Sequence, residues 1–321
     1  MSMSLESAWQ KRITLALADN SQTYRVFHGA GDATASGTDD FEDISIDRFD
    51  DHYWITAWEA ITEDTRNKIK DFLITKSAKS AVILFRPRKG EAELPQVLFG
   101  EPPNGRFAVT ENGMRFLIQL RETRHPGLFL DHAPLRTWLK QNSSGLTVLN
   151  TFAYTGSLSV AAGLGGAAMV TTLDLSPHYI EWAKQNWSEN NLPPEKADFI
   201  FGDVFEWLPR FNKRGRRFDM IIVDPPSSSR GKHGHFSTKQ NLVELHDKVF
   251  PLLAPNGIVV TSINSAQITW RRFEADIMQA AQNNHVRLEI IKKLELPESF
   301  PAHTPEESYL KGFILKSAQQ E

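Results

Sequence analysis

The residues best suited to chemistry follow four apolar, strand-like segments, each at the point where the segment ends. The first group is Phe152, Ala153, Tyr154, Thr155 and Gly156, which closes an apolar run that begins at residue 146. In open α/β sheets, ligands bind beyond the carboxyl ends of the strands. Glycine lets the backbone pass close to a neighbouring group, so we expect this stretch to line a ligand site.

The second group is the carboxylate of Asp174, which ends the next apolar run and is followed by Leu175 and Ser176. A carboxylate at this place can accept hydrogen bonds from both ribose hydroxyls of an adenosine-containing ligand. A surface acid or a cap of the next helix is the structural alternative. The functional interpretation fits NAD and S-adenosylmethionine equally well.

The spacing of the glycines separates these two cofactors. NAD needs a G-x-G-x-x-G turn, because backbone amides and a helix N-terminus must hold its pyrophosphate. Here the turn reads Y-T-G-S-L-S-V with Gly156 alone, and Gly163, Gly165 and Gly166 come after the helical segment. S-adenosylmethionine has no phosphate, and we therefore predict it as the cofactor.

Acids also follow the third and fourth strand-like segments. The third is followed by Gly202, Asp203 and Val204, where the Asp203 carboxylate could accept from an adenine amino group or cap the next helix. The fourth is followed by Asp224, Pro225 and Pro226. Prolines fix the backbone and cannot donate a hydrogen bond, so their carbonyls point in set directions. We predict that these three residues form the catalytic loop and that Asp224 also contacts the cofactor.

A basic segment, residues 227–236, comes directly after this loop. It carries Arg230 and Lys232, which we expect to contact substrate phosphate, with a mobile solvated loop as the alternative. A second basic run at residues 210–217 could also hold a polyanion. His233 and His235 lie too close together in a loop to favour a metal site, so no metal is predicted.

The elements that must position these residues differ between the two parts of the chain. From residue 146 onward, apolar strands alternate with helices, which predicts an α/β fold with a Rossmann-like parallel sheet covered on both faces. Two last strands, 286–296 and 308–316, have no helix between them, which favours terminal antiparallel strands. Residues 1–120 hold shorter strand candidates and one helix, 62–75. The predicted domains are therefore a small β-rich α+β domain, 1–120, and a catalytic domain, 121–321.

Composition is consistent with a soluble globular protein of two domains. The chain has 321 residues, 40% hydrophobic and 23% charged, with a net charge of −3 that gives no general attraction to nucleic acid. No apolar run is long enough for a membrane span or a signal peptide, so a cytoplasmic location is expected. There is no cysteine, which excludes disulfides, thiolate metal sites and cysteine nucleophiles in this chain. Nothing in the sequence specifies an oligomeric state.

Six blocks of sequence, in this order, carry a family resemblance. They are residues 24–29 (YRVFHG), 111–116 (ENGMRF), 126–132 (PGLFLDH), 150–156 (NTFAYTG), 224–226 (DPP) and 305–312 (PEESYLKG). Together they make the chain similar to the large-subunit ribosomal RNA methyltransferases, from about Tyr24 to the end. That family pairs a small β-rich domain with a class I S-adenosylmethionine-dependent methyltransferase domain, so the resemblance implies RNA, and ribosomal RNA in particular, as the substrate.

Two branches of this family differ in their methyl acceptor. One makes 5-methylcytosine with a cysteine nucleophile, and the C-terminal block 305–312 resembles it. The other makes 7-methylguanine, and residues 127–132 and 164–166 resemble it. Methyltransferases that act on an amino nitrogen usually have an aromatic residue after the two prolines. This chain has Ser227 there, which disfavours an amino-nitrogen target. Because the covalent route lacks its nucleophile here, we predict a ring nitrogen, guanine N7, as the acceptor. A methyltransferase for a protein or a small molecule, or a non-catalytic RNA-binding protein of the same fold, remain the alternatives.

Overall fold

The computed structural model describes residues 3–18, 22–33, 41–87, 90, 92–231, 234–301 and 308–318. The chain forms two compact units. The first comprises Met1–Ala133 with Pro297–His303, and the second comprises Pro134–Leu296 with Thr304–Glu321. The division therefore lies after Ala133 instead of residue 120, and a short late segment returns to the first unit.

The first unit is built on a five-stranded sheet in the order β1-β2-β3-β4-β5, with a separate β6–β7 hairpin. Its helices are α1 Met3–Ala18, α2 Gly29–Asp32 and α3 Glu63–Thr75, and its strands are β1 Thr23–His28, β2 Ile44–Phe49, β3 His52–Ala57, β4 Ser80–Phe85, β5 Gln96–Gly100, β6 Phe107–Glu111 and β7 Met114–Ile118. The helix predicted at 62–75 is confirmed, and the Thr62 side chain caps it by accepting from the Thr65 amide at 3.1 Å. The sequence analysis missed α1, α2, β2 and β6.

The strand β2 escaped prediction because it runs through an acidic stretch. Its Asp47 is buried, but the carboxylate is paired with Arg25 of β1, with Nε and Oδ1 2.7 Å apart. A buried carboxylate is tolerated when a charged, hydrogen-bonded partner accompanies it. The pairing joins two strands and is therefore not visible as a local sequence pattern.

The returning segment of the first unit packs on β1 and α2. The ring of Phe300 lies beneath the Arg25 guanidinium, 4.0 Å from its central carbon, and 5.7 Å from the His28 ring. A Cβ built on Gly31 would sit 2.0 Å from the Pro301 carbonyl oxygen, so only glycine fits there. These contacts explain why the segment 297–303 groups with the N-terminal part of the chain.

The second unit alternates strands and helices as the sequence predicted. Its elements are α4 Ala133–Asn142, β8 Thr147–Thr151, α5 Ser157–Leu164, β9 Met169–Asp174, α6 Pro177–Glu189, β10 Ala197–Phe201, α7 Val204–Lys213, β11 Phe218–Val223, β12 Ser228–Gly231, β13 Gly234–Ser237, α8 Thr238–Val249, β14 Leu253–Asn264, α9 Trp270–Asn283, β15 Arg287–Leu294 and β16 Leu310–Ala318.

A seven-stranded sheet organises this unit, in the order β10-β9-β8-β11-β14-β16-β15. The five strands from β10 to β14 are parallel, and β16 inserts antiparallel between β14 and β15. Leu149, Leu173, Ile221 and Val259 are fully buried, as expected for strands covered on both faces. The predicted fold class is confirmed. Strand order reverses between β8 and β11, which is where ligands bind in such sheets.

Within the described part of the chain, no helix is both long and apolar enough to cross a membrane.

Candidate active site

The carboxyl ends of β10, β9, β8 and β11 bring the sequence-predicted site residues to one edge of the sheet. Phe201 pairs with Asp174, Leu173 with Thr151, and Thr151 with Val223. Because these strands are parallel and end level with one another, the segments that follow them are neighbours. The sheet thereby collects residues that lie far apart in the sequence.

The loop that follows β8 has an unusual backbone. Phe152 and Tyr154 have φ values of 53° and 52°, and Gly156 has a φ of 75°. Non-glycine residues in this left-handed region are strained, and such strain clusters at ligand sites. The loop is held by the Ala153 amide, which donates to the Leu173 carbonyl at 3.1 Å, and by Asn186, which donates to the Thr155 carbonyl at 2.8 Å.

The glycine in this loop is required for a reason that the sequence did not reveal. We expected Gly156 to admit a ligand. In the structure, a Cβ at Gly156 would lie 2.7 Å from the Cβ of Ala183 in α6. The close approach of α6, together with the positive φ, disfavours any side chain at this position.

Asp174 lies at the end of β9 and anchors the loop. Its Oδ2 accepts from the Tyr154 amide at 2.8 Å, and its Oδ1 accepts from the Ser176 amide at 2.9 Å. Burial raises the pKa of the Asp174 carboxyl, and the two amide hydrogen bonds oppose that rise. A carboxylate has about four lone-pair sites, so both oxygens keep capacity for ligand hydroxyls. Leu175 is exposed, and the Ser176 side chain caps α6 by accepting from the Tyr179 amide.

The segment after β10 joins this arrangement through its backbone. The Gly202 amide donates to the Asp174 carbonyl at 2.9 Å. Asp203 caps α7, since its Oδ1 accepts from the Phe205 amide at 2.9 Å, and Val204 is buried. The capping interpretation of Asp203 is therefore confirmed. The cap uses Oδ1, and Oδ2 takes no part in it.

An aromatic cluster beside these residues was missed by the sequence analysis. The Phe236 ring is stacked on Phe152, with centroids 5.9 Å apart, and lies 5.6 Å from the Phe205 ring. Phe236 is buried although its sequence neighbours are polar, and a lone aromatic residue in a polar segment is the signal that could have identified it. Flat apolar surfaces of this kind suit a planar ring such as adenine.

The loop after β11 is fixed from β14. The Ser262 hydroxyl donates to Asp224 Oδ1 at 2.5 Å, and the Ser227 hydroxyl donates to the Asn264 carbonyl at 2.6 Å. Pro225 is buried and Pro226 is exposed. Sequence reasoning missed Ser262 and Asn264, because only the pairing of β11 with β14 brings them to the catalytic loop.

A buried lysine of β16, the strand on the far side of β14 from β11, contacts the end of β14. Lys311 of β16 is 1% exposed, and its ammonium donates to the carbonyls of Ser265 at 3.1 Å and Ser308 at 2.5 Å. Burial lowers the pKa of Lys311. The ammonium group is thus held by backbone carbonyls that border the strand end carrying Ser262 and Asn264.

The two basic segments have different places in the fold. Residues 228–231 and 234–237 form the two strands of the β12–β13 hairpin, in which Arg230 pairs with His235. The Arg230 side chain and all of Lys232 lie outside the described residues. The second run precedes β11 and so lies at the amino edge of the sheet, opposite the candidate site. In this run, the Arg216 guanidinium contacts two strands of the sheet: it lies 3.2 Å from the Asp198 carboxylate of β10 and 2.8 Å from the Thr171 hydroxyl of β9.

No group of three or more histidines or acids that could hold a metal occurs among the residues with described structure.

Three features at this edge of the sheet are those from which the sequence predicted a methyltransferase site. A strained loop after the first parallel strand, a half-buried acid after the second and an acid-Pro-Pro loop after the fourth meet at the switch point of the sheet. The half-buried Asp174 carboxylate keeps acceptor capacity beyond its two amide partners, and the single glycine before α5 offers no pyrophosphate cradle. The model of the S-adenosylmethionine-dependent methyltransferase family matches residues 25–316, and this chain belongs to that family. It is an enzyme whose cofactor is S-adenosylmethionine.

Known proteins resemble the chain over most of its length. YwbD of Bacillus subtilis (strain 168), whose name assigns it provisionally to the ribosomal RNA large subunit methyltransferases, is 31% identical over 97% of this chain and 79% of its own. Ribosomal RNA large subunit methyltransferase I of Aeromonas salmonicida is 29% identical, over 88% of this chain and 73% of its own. Methyltransferase K/L of Shewanella pealeana is 32% identical over 80% of this chain, which spans only 36% of that longer protein.

A solved structure shows the same architecture with SAH bound. SMU.776 in complex with SAH superposes with a TM-score of 0.88 and 25% identity, over 98% of this chain and 80% of that one.

Proposed function

We propose that this enzyme methylates a base of large-subunit ribosomal RNA at a ring nitrogen, guanine N7. The names of the relatives support a ribosomal RNA substrate. The observation that carries the choice of atom is the acceptor side of the site. There, Ser262 fixes the Asp224 carboxylate in a chain that has no cysteine.

The chemistry of the two candidate atoms explains this choice. Carbon-5 of cytosine is a poor nucleophile and normally needs a covalent bond from the enzyme at carbon-6. S-adenosylmethionine, when bound, supplies a methyl group on a sulfonium centre that guanine N7 can attack without losing a proton. The chain then needs no general base. Orientation of the base by the protein supplies much of the acceleration, on the order of 7 to 11 kcal/mol at best.

Asp224 has two roles in this proposal. Its carboxylate orients the base by accepting from its N–H groups, and its negative charge stabilises the positive charge that a ring nitrogen gains on methylation. Ser262 acts as a positioning residue by holding one carboxylate oxygen. Pro225 and Pro226 keep the loop rigid, since proline has a fixed φ.

The cofactor residues follow from the strand ends. In the proposal, Asp174 accepts from the ribose hydroxyls, with Leu175 and Ser176 beside it. The loop 152–156 lies along the methionine part of the cofactor, and Gly202, Asp203 and Val204 border the adenine together with Phe236. Asp224 completes this set on the acceptor side.

Arg230 and Lys232 are proposed to contact the RNA backbone. They belong to the segment that directly follows the catalytic loop, and the hairpin is tied to the cofactor side through Phe236. A guanine in a duplex must be unstacked to reach such a site, and cationic groups beside the catalytic loop would hold the phosphates of the displaced strand.

The acceptor is tested by nucleoside analysis. Ribosomal RNA from a strain that lacks the gene is incubated with the enzyme and labelled S-adenosylmethionine, then digested and examined by mass spectrometry. We expect label in 7-methylguanosine. Label in 5-methylcytidine, or in protein only, would contradict the proposal while leaving the cofactor unchanged.

The role of Asp224 is tested by separating rate from cofactor affinity. Asp224→Ala and Ser262→Ala should lower kcat, the former by more, and Asp224→Ala should lower kcat by a larger factor than it raises the Kd for S-adenosylhomocysteine. Ser188→Ala, an exposed serine of α6, serves as the control. A loss of cofactor affinity as large as the loss of rate would show that Asp224 acts mainly on the cofactor.

A further inference from the structure

An arginine-rich surface of the first unit consists of Arg86, Arg121, Arg124, His125 and Phe129. Two segments distant in sequence meet there, since the Arg86 guanidinium donates to the Arg124 carbonyl at 2.6 Å. The side chains of Arg121 and Arg124 are exposed, and Phe129 is 41% exposed. We propose that this surface binds unpaired RNA, with the arginines on phosphates and Phe129 beneath a base. The inference rests on the proposed RNA substrate.

The electrostatics of His125 show that positive charge converges at this surface. Burial, together with the charges of Arg86 and Arg124, lowers the pKa of His125 to about 4. The ring is therefore neutral at physiological pH. A neutral ring among guanidinium groups adds no repulsion of its own.

The surface also has an ordered framework. The Gln119 amide donates to the Pro126 carbonyl at 2.9 Å, and the Thr123 hydroxyl donates to the His125 carbonyl at 2.7 Å. Arg121 donates to the Asn104 side chain at 2.8 Å. These hydrogen bonds fix the backbone of the loop, so little conformational entropy of the loop is lost when its charged side chains bind a ligand.

The aromatic ring decides which form of RNA fits. Phe129 contacts His125, with centroids 5.6 Å apart, so an exposed apolar face adjoins the cationic groups. An exposed aromatic ring next to arginines is the arrangement that binds single strands, because unstacked bases stack on the ring while the cations follow the backbone. Paired bases in an A-form helix cannot stack on it.

The test is a binding titration of the full chain with a fluorescent 20-nucleotide unpaired RNA and a duplex of the same sequence. The double variant Arg121→Ala/Arg124→Ala should raise the Kd for the unpaired RNA about tenfold at 0.15 M salt and flatten the salt dependence by about 1.4 in slope. Phe129→Ala should raise it by about fivefold or more and affect the duplex little. Lys68→Ala, which removes an exposed charge from the same unit, is the control.

Other outcomes overturn the inference. An unchanged Kd in the double variant, a loss matched by Lys68→Ala, or no binding of unpaired RNA by the wild-type chain would each do so. A methylation assay distinguishes failure of this inference from failure of the proposed function. If the variants bind RNA weakly but the wild-type chain methylates only protein, the RNA-binding surface is supported and the proposed acceptor is wrong. In variants that methylate RNA, KM should rise while kcat at saturating RNA stays the same.

Discussion

Asp174 is the residue at which the cofactor assignment is most directly tested. Its two oxygens already accept from the Tyr154 and Ser176 amides, and the proposed ribose hydroxyls would add to these. Hydrogen bonds to a charged group contribute about 1.5 to 3 kcal/mol. Asp174→Ala should therefore raise the Kd for S-adenosylhomocysteine by roughly tenfold to 150-fold.

The asparagine variant separates binding from support of the loop. In Asp174→Asn, the amide group that replaces one oxygen cannot accept a hydrogen bond, so one backbone amide loses its partner. The free energy of unfolding should fall by about 1 to 3 kcal/mol. Calorimetric titration measures the Kd and denaturant unfolding measures the stability. Glu181→Gln, an exposed acid of α6 paired with Lys184, is the matched control.

The pH dependence supplies a further measurement on the same residue. Burial raises the pKa of Asp174 above its ordinary value. Ribose hydroxyls bind the charged carboxylate, so protonation competes with the cofactor. Affinity should be full above this pKa and fall as the pH drops through it, and the asparagine variant should lose that dependence. An unchanged Kd in both variants would refute the assignment of Asp174 to the ribose.

Three further predictions test the framework around the site. Gly156→Ala should lower the free energy of unfolding by about 2 to 5 kcal/mol, because a left-handed φ and the Ala183 contact both oppose a side chain. Gly215 has a similar φ but lies in open space, so Gly215→Ala should lower the free energy of unfolding by only about 1 to 2 kcal/mol. Equal losses in the two variants would contradict a steric clash at Gly156. Burial lowers the pKa of His28 to about 3, so the unfolded chain binds a proton at a higher pH than the folded chain does. Denaturant unfolding should therefore show about 2 kcal/mol of stability lost as the pH falls from 6.5 to 5. His28→Gln should reduce this loss. Lys311→Met should lower kcat, with partial rescue in Lys311→Arg and no change in cofactor Kd; a cofactor defect instead would show that Lys311 does not act through the end of β14.

The local patterns in the sequence were sufficient for the second unit. Its strands are apolar runs and its helices begin at capping residues such as Ser176, so element type is encoded within each segment. The order of the acids along the chain then identified the strand ends, because consecutive parallel strands place their carboxyl ends at one edge. The single glycine of the turn was enough to choose between two cofactors.

The contacts that hold the loop after β11 could not be found in this way. Ser262 contacts Asp224 only because β14 lies beside β11, and Lys311 reaches the end of β14 only because β16 inserts between β14 and β15. Strand order depends on long-range packing, and no local pattern reports it. The same holds for Phe236, which belongs to a polar segment and packs against Phe152 and Phe205.

The sequence alone determined the fold class, the positions of Asp174, Asp203 and Asp224, and the absence of a thiol for covalent catalysis. Only the tertiary structure decided what those acids touch, where the two units divide and which basic groups lie away from the site. The physical reason is the range of the interactions. Capping, periodicity and turn chemistry act within a few residues, whereas ion pairs such as Arg25 with Asp47 and the hydrogen bond of Ser262 to Asp224 join strands that the sequence separates.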